Sequence, residues 1–152
     1  MSGQAIIMTD DHTWVCEYAS TWAELSAGLS NIEVIPEYTG ILFDMGSDQY
    51  EITINMDLMQ FNIDILFIGS EGGVVGVVRN AVPGSNVAYE GDGVGCRFFL
   101  EVNAGELDGV LVGDIVTIQI PEVSGVSMND FVMLMAVAGI TGTMIKAILK
   151  KE

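Results

Sequence analysis

The run from Arg97 to Ile118, RFFLEVNAGELDGVLVGDIVTI, constrains this chain most. Phe98, Leu100 and Val102 alternate with Arg97, Phe99, Glu101 and Asn103, a period near two that suits a strand. Ala104-Gly105 breaks that strand, a short acidic segment follows, and Val112-Gly113-Asp114 leads into a second alternating run. There Ile115, Thr117 and Gln119 alternate with Val116, Ile118 and Ile120. Two strands joined by a compact connection, with glycines where the chain must turn, predict the core of a small β domain.

The rest of the chain extends the same pattern. Residues 4–8 and 13–18 read as short strands around a polar turn at Thr9-Asp10-Asp11-His12. Ser20 or Thr21 can cap a helix over 21–29, and Glu24, three residues after Thr21, completes a capping box. Trp22, Leu25 and Leu29 fall on one face of that helix. Residues 31–40 read as a loop. Residues 50–56 alternate with Tyr50, Ile52 and Ile54 on one face, and residues 62–69 form an apolar strand whose single charge is Asp64. Glu71-Gly72-Gly73 marks a hairpin into a strand at Val74–Val78, and residues 83–95, rich in glycine and acids, read as a loop. The expected fold is mainly β (α+β): a compact, barrel-like domain over residues 1–120 with one short helix near the N-terminus.

A linker at 121–126 then leads into a predicted long apolar helix at 127–152. Phe131 to Ile145 carries no charge, and such a helix, apolar all round, belongs in lipid or inside protein. Extended to Leu149 with Lys146 snorkelling, it would span about 28 Å, against a hydrocarbon core of ~30 Å. Ala138 and Gly142, and Gly139 and Thr143, form two small-residue pairs four apart that favour close helix packing.

Charge is unevenly distributed. The net charge of the 152 residues is −16, yet residues 1–126 hold 19 acidic residues, two arginines and no lysine. Nucleic-acid affinity comes largely from lysine and arginine on phosphates, so direct nucleic-acid binding is disfavoured. Cys16 and Cys96 form no CxxC pair and lie in or beside apolar runs, which predicts buried thiols. MSGQAIIMTDD has neither a basic n-region nor a long apolar h-region and does not read as a secretory signal.

Four blocks in order carry a family resemblance: ASTWAELSAGLS at 19–30, GILF at 40–43, NIDILFIG at 62–69, and LEVNAG with GD eight residues on. Together they resemble the DUF192 family, whose biochemical activity is not settled, and the likeness covers about residues 13–120. It implies a small β-rich domain. Ser30 stands where the family usually has Met, and the basic residue that commonly follows is missing. Asn55-Met56-Asp57-Leu58-Met59 replaces the family's Trp-Met-Lys-Asn-Thr and keeps only Met56. Many members of the family are exported, a feature this N-terminus does not share.

Little catalytic machinery is visible. The only histidine is His12, in a turn, so a nucleophilic triad has no evident base. One histidine and two distant cysteines do not make a zinc site, no EF-hand spacing or P-loop occurs, and neither a metal nor a cofactor is expected. Asp64, Glu101, Asn103 and Asp114 lie in the family-like blocks and form the candidate polar site; Glu101 and Asn103, two apart, share a strand face. The leading expectation is a non-enzymatic structural component, a homo-oligomer or part of a large assembly. It would be joined through its C-terminal helix at a membrane or inside a virus-like particle. The alternative is a module with a carboxylate-lined pocket that binds or processes a small molecule or carbohydrate.

Overall fold

A computed structural model describes residues 3–120 of the chain. Nine strands and one helix follow in order: β1 (Gly3–Met8), β2 (Thr13–Ala19), α1 (Trp22–Ala27), β3 (Thr39–Gln49), β4 (Glu51–Asn55), β5 (Ile63–Ile68), β6 (Val74–Ala81), β7 (Asn86–Glu90), β8 (Cys96–Asn103) and β9 (Thr117–Gln119). Seven strands form one sheet in the order β6-β5-β8-β3-β2-β1-β9, which curls into a half-barrel, while β4 and β7 pair as a separate two-stranded ribbon. The domain is therefore mainly β, as expected. Its neighbouring strands run antiparallel except β2 and β3, which are parallel and joined through α1 and the loop after it. A parallel pair needs such a crossover, because a tight turn can only reverse the chain.

The period-two pattern divides the apolar residues between the two faces of the sheet. On β5, Ile63, Ile65 and Phe67 enter one core, and Leu66 and Ile68 enter the other. On β8, Phe99 joins the first core, and Phe98, Leu100 and Val102 join the second. The ribbon closes the first core with Ile52, Ile54, Val87 and Tyr89. Leu107, Val110 and Val116, from the segment between β8 and β9, close the second. Cover on both faces explains why every residue of β5 is buried, a run more typical of parallel strands. Cys16 and Cys96 are both buried, one in each core. At the centre, a Cβ on Gly40 would lie 2.0 Å from the Glu101 carbonyl oxygen, so only glycine allows β3 its approach to β8.

Several expectations need correction. The alternating run at 115–120 is shorter than read: β9 holds three residues and pairs with β1, with β3, β2 and β1 between it and β8. Both edges of β8 are already taken, by β3 and β5. The expected loop at 83–95 contains β7, whose buried Val87 and Tyr89 alternate with exposed Asn86, Ala88 and Glu90. The helix is shorter than expected. Its capping box forms as read, with Thr21 accepting from the Glu24 amide, but Trp22 is exposed and Leu29 lies beyond the helix end. Among the described residues no helix is long and apolar enough to cross a membrane. The predicted linker at 121–126 and the apolar helix at 127–152, with Ala138, Gly139, Gly142 and Thr143, lie outside the described residues.

Candidate functional site

The central strand pair brings two acidic residues to adjacent rungs. In the β5–β8 register Asp64 faces Val102, and Ile65 faces Glu101. Side chains alternate across a strand, so the two carboxyl groups leave on opposite faces of the sheet. Asp64 turns toward the second core and is fully satisfied. Its Oδ1 accepts the Asn80 amide at 2.8 Å, and its Oδ2 accepts the amides of Gly105 at 2.9 Å and Leu107 at 3.1 Å. Asn103 completes this clasp. Its side-chain amide donates to the carbonyls of Ile35 and Pro36 and to Glu106, whose carboxylate also accepts from Trp14 Nε1 and the Tyr38 amide. Asp64 and Asn103 thus tie the turn after β8 to its surroundings.

Asp114 serves another turn. It is exposed, accepts the Leu111 amide at 2.9 Å, and borders a polar depression with Asp10, Asp11, His12 and Asp108. No group of three metal-ligating side chains assembles among the described residues. The four residues expected to form one polar site are therefore spread over separate places.

Glu101 differs from the other three. Only 4% of it is exposed, and its Oε2 has no hydrogen-bond partner. It lies at the floor of a cavity of about 300 Å³ on the first-core side of the sheet. The stacked rings of Phe43 and Phe99, with centroids 4.3 Å apart, share that floor. The ribbon strand β4 supplies Ile52 and Ile54 as one wall, with Asn55 and Met59 beside them. The end of α1 and the turn after it supply Leu25, Ser26, Gly28 and Ser30, and Trp22, 83% exposed, adds an indole to the lining. Gly28 has φ +48°, and a Cβ there would lie 3.4 Å from Phe43 Cζ and 3.8 Å from Glu101 Oε2. The turn can thus pass over the carboxyl group without covering it with a side chain.

The electrostatics follow from this geometry. Burial alone pushes the Glu101 carboxyl up to about 8, so at neutral pH it holds its proton. It is the only titratable side chain among the residues lining the cavity. Neither described arginine serves it. Arg97 grips Asp44 through Nε at 3.1 Å and Nη2 at 3.3 Å, and Tyr18 donates its hydroxyl to the same carboxylate at 2.6 Å. Burial pushes Asp44 upward, but the hydrogen bonds from Arg97, Tyr18 and the Gly46 amide outweigh it and leave the group below its ordinary value. Arg79 donates to the carbonyls of Leu107 and Val110. The site can accept a charged group at one point, Glu101, with apolar contact over most of the lining and hydrogen-bonding side chains at Ser26, Ser30, Thr53 and Asn55.

Sequence reasoning reached Glu101 but not its surroundings. Phe43, Ile54 and Phe99 read simply as alternating core positions, and nothing in a period-two pattern says that a core face stays open. One signal was present. Ser30, Asn55 and Met59, three places where the chain departs from the resembled family's pattern, all line this cavity.

Comparison with known proteins agrees with the fold. The sequence profile of DUF192, described as "Uncharacterized ACR", matches residues 5–118. No curated protein matches the chain. Two crystal structures are similar at a TM-score of 0.66. One is a Sinorhizobium meliloti protein whose description proposes a transcription regulator; it is 26% identical, and the alignment covers 75% of this chain and 91% of that one. The other is a protein of unknown function from Novosphingobium aromaticivorans, 24% identical, with 75% of this chain and 83% of that one covered.

Proposed function

We propose, for a chain that belongs to the DUF192 family, that the domain is a non-enzymatic binding module which holds a small, largely apolar molecule in the cavity above Glu101. One observation carries this reading: Glu101, a buried acid whose Oε2 has no hydrogen-bond partner, lines an open space of about 300 Å³. Leaving a buried polar atom unsatisfied costs about 1–3 kcal/mol, and a ligand that supplies the missing partner recovers that cost. The volume is at the lower end of the range of small-molecule pockets, and a mainly apolar lining with a few polar side chains is typical of them. Hydrolysis of glycosides needs a second carboxyl group about 5–10 Å away, and the lining residues offer Glu101 alone. Binding without chemistry is therefore favoured over carbohydrate processing.

Screening a fragment library by amide and methyl chemical shifts tests the reading. Saturable shifts at Phe43, Ile54, Phe99 and Glu101 are expected, and a library that moves none of them while moving other surfaces would refute it. The sequence-level case for assembly stands beside this one. The uncharged run at 131–145 and its small-residue pairs support a homo-oligomer or larger assembly, at a membrane or within a particle, joined through residues 127–152. Removing those residues should then dissolve the oligomer and leave the domain folded. The regulatory role proposed for the S. meliloti protein would reach DNA here only through a partner, because an acidic domain repels phosphate.

A further inference from the structure

We infer that the molecule held above Glu101 is an organic cation, an apolar body carrying one basic nitrogen that docks against the Glu101 carboxyl group. This rests on the binding reading above and narrows it to a ligand class.

Three observations carry it. The first is that the carboxyl group lacks a partner of opposite charge. The side chains facing it from α1, β3, β4 and β8 include no other titratable group, and both described arginines are engaged elsewhere. A ligand nitrogen would supply what the chain does not. The second is exclusion of the opposite class. A carboxylate or phosphate ligand would find no lysine or arginine in the lining to offset the loss of its hydration. The third is the aromatic floor. Phe43 and Phe99, stacked on each other, line the same cavity and offer apolar contact to the body attached to the nitrogen. The surrounding field acts in the same direction, since residues 1–126 hold 19 acids against two arginines and concentrate cations near the domain.

Proton balance follows. Before binding, Glu101 is protonated at neutral pH, because burial holds its carboxyl near 8. An alkylammonium ion has a higher affinity for its own proton than this, with an ordinary value near ~10. On docking, the carboxyl proton leaves for solvent, the nitrogen keeps its own, and an N⁺–H···O⁻ hydrogen bond forms. Binding of a cation therefore releases one proton and strengthens as pH rises to about 8. A neutral ligand that accepts a hydrogen bond from the protonated acid would show the reverse trend.

The test uses the full chain with two probes of like shape, phenethylammonium and neutral 2-phenylethanol. Dissociation constants come from NMR titration at pH 6, 7 and 8 in about 0.15 M salt, an ionic strength that screens surface charge. The ammonium ion should shift Phe43, Ile54 and Phe99. It should lose affinity roughly tenfold per pH unit below about 8 and bind at least tenfold more tightly than the alcohol at pH 8. Glu101→Gln should abolish the pH dependence, and Ser26→Trp, on the exposed face of the helix end, should weaken both probes by narrowing the cavity. If the alcohol binds the same residues as tightly as the ammonium ion and is indifferent to Glu101→Gln, the cavity is a binding site but the cation inference is overturned. If neither probe moves those residues at any pH, both the cation inference and the binding reading fail.

Discussion

Asp64 and Glu101 sit one rung apart on the same strand pair, both buried, and their circumstances are opposite. Asp64 meets three backbone amides; Glu101 Oε2 meets none. The difference lies in what covers each face of the sheet. Over Asp64 the chain folds back as the turn after β8, which supplies the Gly105 and Leu107 amides, and the third comes from Asn80 of β6, where the pairing with β5 shifts register. Over Glu101 lie the ribbon and the end of α1, whose nearby side chains are mostly apolar and which leave a gap. A buried carboxyl surrounded by donors fastens a fold, whereas one beside a gap waits for a partner from outside.

The largest expected effect is on the fastened side. Asp64→Ala leaves the amides of Asn80, Gly105 and Leu107 without their acceptor, each at about 1–3 kcal/mol. Sharing and relaxation reduce the sum, and chemical denaturation should register a loss of about 3–5 kcal/mol. A loss below about 1 kcal/mol would mean that the turn finds other partners and that the contrast between the two acids is overstated.

The open side should respond with the opposite sign. Because burial raises the Glu101 carboxyl from 4.5 to about 8, the folded state favours the protonated form. Below the ordinary value both folded and unfolded chains hold the proton, and no stability is lost. As pH rises toward about 8 the unfolded chain ionises first, so stability falls by about 1.4 kcal/mol per unit, then levels once the folded state also ionises. Glu101→Gln removes this titration. It should stabilise the domain by about 3 kcal/mol at pH 7, with the gain vanishing near pH 4.5. Denaturation at the two pH values measures both.

Much of this contrast was legible in the sequence and part of it was not. The capping box at Thr21 and Glu24, the hairpin at 71–73 and the strand at 97–103 follow from local chemistry, and all three are present. Asp64 stood out as the lone charge in an apolar strand, a position that demands hydrogen-bond donors. What stayed hidden is set by long-range pairing. The partner of β9 is β1, far away in sequence, and the strand β7 was masked by its glycine-rich, acidic flanks. The cavity was hidden for the same reason. Alternation says which face Glu101 takes, but only the tertiary arrangement of ribbon and helix decides whether that face is filled.

A smaller effect is expected at Gly28, which borders the open side. Gly28→Ala places a Cβ at φ +48° in ordinary contact with Phe43, so backbone strain and not collision sets the cost, about 1–2 kcal/mol. Its methyl would also narrow the approach to Glu101 Oε2, so the ammonium probe should lose affinity more than the denaturation midpoint falls. Equal loss of both would assign Gly28 to stability alone.

The protonation state of Glu101 itself tests the central contrast most directly. In protein carrying ¹³C-labelled glutamate side chains, the carboxyl resonances can be followed from pH 3 to pH 10 by NMR. One glutamate should titrate with a midpoint near 8 and should be missing from the spectrum of Glu101→Gln. If every glutamate carboxyl titrates in the ordinary range near ~4–5, Glu101 is solvated or paired in solution, and the unpartnered acid at the base of an open cavity does not exist.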